Sequence, residues 1–136
     1  FQRMIDRLSV GYEVVIGSRN LPDSEFGVFP SFGRTFLSYL FSQLANMALE
    51  EKVGDTQCGI KGFSRSAEKN IFEKVQIRGF CFDVEVIYFA QKANYKIGLV
   101  PVKLVNNLKS SVGFMHMVEM LGDVLKLLMR SKISKL

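Results

Sequence analysis

Three short strand-like runs, each set between segments of helical periodicity, limit this chain to a layered α/β fold. The first covers residues 12–16, where Val14-Val15-Ile16 reads as a buried strand stopped by Gly17-Ser18-Arg19. The second covers residues 58–63. The third covers 97–105 and contains Pro101, which favours an edge position because proline offers no amide to a neighbouring strand. Between and around them, helices are expected over residues 1–8, 33–51, 66–74, 82–93 and 112–130. The 33–51 helix has the widest apolar face, from Phe36, Leu37, Leu40, Phe41, Leu44, Met47 and Ala48. Ser66 is the expected cap of the helix that follows it. Residues 20–32 hold Pro22 and Pro30 among polar residues and are expected to form a loop, long enough to carry function. This order predicts a mostly parallel sheet with flanking helices. Three strands make a narrow sheet, and the chain begins at Phe1, without a methionine, inside a helical pattern. It is therefore expected to be a piece of a longer protein.

The 136 residues suit one domain or part of one, and a hydrophobic fraction of 48% against 23% charged excludes extended disorder. A net charge of +5 favours an anionic partner: nucleic acid, an acidic membrane surface or a phosphorylated substrate. The basic residues are scattered, with no recognition helix or aromatic platform, so no nucleic-acid partner is expected. Cys58 and Cys81 form neither a disulfide framework nor a zinc knuckle and are expected to be free thiols. His116, the lone histidine, has no companions at ligand spacing. No run approaches the roughly 20 apolar residues that cross a bilayer. No Asp-x-Asp, glycine-rich phosphate loop or Ser-His-Asp set is present.

Several positions do carry chemistry. Arg19 follows a buried strand, where open α/β sheets bind ligands, and it suits an anion there. Arg34 and Ser38 lie four apart on one helix face, with Arg34 in the first turn, where free amides also favour phosphate. Asp55-Thr56-Gln57-Cys58-Gly59-Ile60-Lys61-Gly62-Phe63 combines a carboxylate, a glycine that permits close backbone approach and a lysine. Phe82-Asp83-Val84-Glu85 puts two carboxylates at a helix start, where they are favoured either as a cap or as part of a site. Lys109-Ser110-Ser111-Val112 precedes a last helix with a broad apolar surface and basic residues, Lys126, Arg130, Lys132 and Lys135, towards its end. Such a helix can either pack at the end of the domain or lie in a membrane interface.

In this order the motifs resemble the acceptor-side half of family 2 glycosyltransferases that load a sugar onto a polyprenyl (dolichyl or undecaprenyl) phosphate. The likeness runs from about Tyr12 to Arg130. Gly17-Ser18-Arg19 followed by Arg34 and Ser38 matches the family's phosphate grip position by position. The segment from Asp55 to Phe63 is similar to its Asp-Thr-x-x-Gly-Phe-Lys/Arg, with Ile60 replacing the usual phenylalanine. Residues 82–85 match its Phe-Asp-Val-Glu. The resemblance implies a partial GT-A, Rossmann-like fold: residues 1–111 as the acceptor-side half and 112–136 as an amphipathic, interfacial helix. It implies that Arg19, Arg34, Ser38 and Lys61 hold phosphate, and that Asp83 takes the catalytic position. Asp55, Gly59 and Glu85 would then support the site. It further implies a nucleotide-sugar donor, a polyprenyl phosphate acceptor and a cytosolic membrane face. A divalent Mg or Mn ion is expected in the longer parent, held by residues outside this chain. The fragment alone is expected to be inactive. A non-catalytic, membrane-associated anion-binding module is the alternative.

Overall fold

The computed structural model describes residues 1–26, 32–79, 81–104 and 114–133. Among these residues five helices and five strands follow one another: α1 (Gln2–Ser9), β1 (Val14–Ser18), β2 (Glu25–Phe26), α2 (Phe32–Ala48), β3 (Lys61–Phe63), α3 (Arg65–Phe72), α4 (Phe82–Lys92), β4 (Ile97–Pro101), β5 (Lys103–Leu104) and α5 (Phe114–Ile133). The α/β class and the helix set agree with the sequence reading. Among the described residues no helix is long and apolar enough to cross a membrane. The segment 109–112 lies outside the described residues.

The main sheet has the order β3-β1-β4. β1 runs parallel to β4, with Val14 opposite Ile97 and Ser18 opposite Pro101. It runs antiparallel to β3, with Val14 opposite Phe63 and Ile16 opposite Lys61. The sheet is therefore mixed where a mostly parallel one was expected. Pro101 does close an edge strand, as expected, and the chain leaves the main sheet there. β5 begins two residues later and pairs in parallel with β2. That second ribbon joins β2, from the segment expected to be loop, to β5, from the strand expected over 97–105. The Ser24 hydroxyl makes it possible by donating to the Ser18 carbonyl at 2.7 Å and accepting from the Val102 amide at 3.3 Å.

All five residues of β1 are buried because both faces of the strand are covered. Val15 packs with Met4, Leu8, Tyr12 and Val100 beneath α1. Val14 and Ile16 face the larger core of α2, α3, α4 and α5, with Phe41, Ala45, Ile71, Ile87, Val124 and Leu127. The two-residue period of a strand sends alternate side chains into the two layers. α3 is capped by Ser64, whose Oγ accepts from the Ala67 amide, and not by Ser66. The backbone at Ser64 is still extended as it leaves β3, so the helix begins one residue earlier than expected.

Gly17 is where the backbone needs a missing side chain. A Cβ there would stand 2.6 Å from Val102 Cγ1 and 2.9 Å from Cys58 Sγ. Gly17→Ala is expected to cost about 1–3 kcal/mol through forced repacking, read as a lower urea midpoint with an unchanged slope.

Candidate active site at the rim of the sheet

β1 ends and antiparallel β3 begins at the same edge of the sheet, so Arg19 and Lys61 reach one rim by opposite chain directions. The loop between α2 and β3 completes it. That loop is held by side chains from neighbouring elements. Asn46 Oδ1 accepts from the Val53 amide at 2.9 Å. Gln91 of α4 accepts from the Glu50 amide and donates to the Glu51 carbonyl, both at 2.8 Å. Asn20 donates to the Gly54 carbonyl.

Asp55 is buried in this loop and receives Arg19 three times: the backbone amide at 2.9 Å, Nε at 2.7 Å and a terminal guanidinium nitrogen at 2.8 Å. Burial disfavours the Asp55 carboxylate. The hydrogen bonds and charge of Arg19, helped by the charge of Lys61, outweigh burial and hold the carboxyl below its ordinary range. Arg19 is correspondingly pushed up by its hydrogen bond to Asp55. The Arg19 side chain remains 44% exposed. A guanidinium has five donors, and Asp55 occupies only one edge of it, so an anion can still bind the other.

The pH consequence follows from the lowered carboxyl. Its contribution to stability is complete above the ordinary carboxyl value near pH 4 and is lost as pH falls through the lower folded value. With the exposed partner screened, the acid-side loss is expected to be about 1 kcal/mol. Urea midpoints measured from pH 6 down to pH 2 should decline, and Asp55→Asn should flatten that limb.

Lys61 is nearly buried. Its ammonium donates to the Cys58 carbonyl and to Asp83 Oδ1, each at 2.7 Å. The side chains of Lys61 and Asp83 are 7% and 29% exposed, so the carboxylate is the member of the pair that reaches solvent. Asp83 stands in the first turn of α4. The approach to that turn passes through Gly79, whose φ of +123° suits glycine alone.

Glu85 sits two residues further and faces the other way. It is fully buried. Its carboxylate accepts from the Gln76 and Ile77 amides at 2.9 and 2.7 Å and from Arg130 of α5 at 2.9 Å. The sequence reading placed Arg130 only among the basic residues of the last helix; no local pattern signals a partner 45 residues away. Gly59, expected to permit close approach, has open space where its Cβ would stand. Among the described glycines the close contacts within this chain are at Gly17 and Gly98.

Arg34 and Ser38 lie on α2, one turn apart; their side chains lie outside the described part, as does that of His116. The structure thus brings Arg19, Asp55, Lys61 and Asp83 to one rim and turns Glu85 away from it. Sequence reasoning also missed Thr56, whose buried hydroxyl has no partner among the described residues. Both cysteines are free and buried. Burial, and then the charges of Asp123, Glu85 and Asp83, push the Cys81 thiol up to about 12, so it stays protonated. Among the described residues no three His, Cys, Asp or Glu side chains group to hold a metal ion. Asp55 and Asp83 are each committed to a cation, so these residues do not fit a divalent ion.

No family model matches the chain. Curated proteins do. A dolichyl-phosphate beta-glucosyltransferase of Dictyostelium discoideum is 34% identical over 119 residues, covering 86% of this chain and 36% of that protein. The protein of that name from Mus musculus is 36% identical over 89 residues, 65% of this chain and 28% of its own length. That of Saccharomyces cerevisiae is 34% identical over 90 residues, 65% and 27%. The chain spans only about a third, or less, of these relatives. Over the part it spans, the chain is a homologue of the dolichyl-phosphate beta-glucosyltransferases, which are family 2 glycosyltransferases.

Proposed function

We propose that this chain is the acceptor-side part of an enzyme that moves a hexose from a nucleotide-sugar to a polyprenyl phosphate, dolichyl phosphate by the names of its relatives. The observation that carries the reading is the rim itself. Two cations, Arg19 and Lys61, stand at the carboxyl end of β1, each braced by a carboxylate. Their placement is fixed before any ligand arrives, which is what electrostatic stabilisation of a reacting phosphate requires.

The acceptor phosphate is already ionised near neutral pH and needs no general base. One of its oxygens attacks the anomeric carbon of the hexose. The bond from that carbon to the nucleotide diphosphate breaks, and the electron pair leaves with the diphosphate. The free edge of Arg19, together with Arg34 and Ser38 on α2, holds the acceptor phosphate. Lys61 places positive charge where the oxygens crowd, and Asp83 orients groups beside the acceptor. The nucleotide pocket and any divalent ion belong to residues outside this chain.

The parent is proposed to work peripherally at the cytosolic face of a membrane, with residues 112–136 in the interface. α5 packs against α2, with Met120, Val124 and Leu127 in the core they share. The side facing away keeps Leu121, Leu125 and Met129 exposed, and α2 exposes Phe36, Tyr39, Leu40 and Met47. Exposed apolar stripes on adjoining helices suit a lipid interface.

A radiolabelled-donor assay on the full-length protein tests the reading. Label should pass to polyprenyl phosphate only when that lipid is supplied, and Arg34→Ala should raise the acceptor KM by about tenfold or more. Absence of transfer with every nucleotide-hexose tried, or full activity in Arg34→Ala, would sink it.

A further inference from the structure

Asp83 and Glu85 are two residues apart in the first turn of α4, which places them roughly 200° apart around the helix axis. Asp83 turns to Lys61 on the sheet. Glu85 turns to the chain entering α4 and to α5. Its Oε2 takes the amides of Gln76 and Ile77, and its Oε1 takes Arg130. A second guanidinium nitrogen of Arg130 donates to the Gln76 side-chain carbonyl at 2.6 Å. Arg130 therefore grips both the carboxylate and the segment that the carboxylate holds.

Among the described residues the buried side chains of α5 are the apolar Met120, Val124 and Leu127, and Ser131, whose hydroxyl bonds back to Leu128 of its own helix. Apolar contacts tolerate sliding and rotation, whereas a guanidinium fork on a buried carboxylate fixes direction. No other ion pair to Glu85 is present among the described residues.

We propose that Arg130 is a positioning residue for the reaction centre, acting through Glu85. By holding Glu85 it fixes the rotation of the first turn of α4, and so keeps the Asp83 carboxylate on Lys61 while the acceptor phosphate binds. The inference rests on the glycosyl-transfer reading for its functional consequence, but the geometric link stands apart from it.

The test uses the full-length protein and the variants Arg130→Met, Arg130→Lys and Asp83→Asn. Arg130→Met should lower kcat by about 10–100-fold, the scale of a slightly misplaced reacting group, with donor KM changed by no more than about twofold. Arg130→Lys should recover part of the loss, since an ammonium reaches Glu85 without also gripping Gln76. In the Asp83→Asn background, Arg130→Met should cost no more than about a further twofold, because the group it positions is already gone. Additive losses, or an unchanged kcat, overturn the proposal.

A second readout needs no activity. The Val84 and Glu85 amides, both bonded to the Cys81 carbonyl, should exchange about tenfold faster in Arg130→Met while the amides of β1 keep their protection. Unaltered exchange at Val84 and Glu85 overturns the link even if the parent transfers no sugar. Uniform acceleration that includes β1 also overturns it, by making Arg130 a stability residue only. If Arg130→Met does not fold, the same exchange comparison is made on Arg130→Lys, with a smaller but still local acceleration expected.

Discussion

Asp83→Asn is expected to lower sugar transfer by the full-length protein about 100-fold and to destabilise the fold by about 2 kcal/mol. Both effects follow from the uneven burial of the pair. Lys61 is 7% exposed and Asp83 29%. Asparagine keeps an oxygen for the ammonium but removes the charge that justifies its burial. Lys61 is then left with two neutral acceptors, the new amide oxygen and the Cys58 carbonyl. The reverse deletion is milder. Lys61→Met leaves a carboxylate that water already reaches, and the thioether fills the space of the lysine stem, so about 1 kcal/mol is expected. Urea unfolding of the two variants side by side checks the order. A larger loss for Lys61→Met would mean that the carboxylate is the strained member and would remove the argument for Asp83 as the solvent-facing partner.

The same asymmetry bears on the acceptor. In the proposed reaction an incoming phosphate would meet Asp83 before Lys61, because the carboxylate is the more exposed of the two. Its approach is favoured only if cationic donors compensate, and the free edge of Arg19 on the same rim is one such group. Asp55 and Asp83 thus do related work from two positions. Each keeps a cation placed without using all of its donors, so the rim is preorganised instead of merely basic.

How far the sequence foretold this depends on what each feature depends on. β1 was legible because its apolar run is continuous, and the structure covers both of its faces. α2, α4 and α5 were legible because a wide apolar face persists over several turns; α2 stops three residues and α4 one residue short of expectation. The antiparallel direction of β3 was not legible. A three-residue strand has too little pattern to declare its direction, and the geometry is set by the loop that Asn46, Gln91 and Asn20 hold in place. β2 was missed because two residues carry no period at all, and a serine hydroxyl aligns it from outside; β5 lies inside the strand expected over 97–105, which the structure divides after Pro101. At the rim, the residue types pointed to anion handling. Their internal pairing was invisible, because Arg19 and Asp55 are 36 residues apart and Lys61 and Asp83 are 22 apart. Contacts at such separations come from topology, which single motifs do not encode.

Glu85→Ala is expected to be the most damaging single change, at about 4 kcal/mol. The substitution strips the acceptor from the Gln76 and Ile77 amides at once, leaves one arm of Arg130 facing a void and opens a cavity where no side-chain surface is exposed. Glu85→Gln separates these terms. In the orientation that keeps the two backbone bonds, its amide nitrogen faces the Arg130 donor, so two N–H groups oppose each other where a charged bond stood. About 2 kcal/mol is expected for that variant. Urea midpoints give the order Ala, Gln, wild type, and amide exchange at Gln76 and Ile77 tells the mechanisms apart. Both amides should lose protection in Glu85→Ala and largely keep it in Glu85→Gln. If both variants expose the two amides equally, charge and not hydrogen bonding holds the 76–77 segment. The entry to α4 would then be anchored by Arg130 alone.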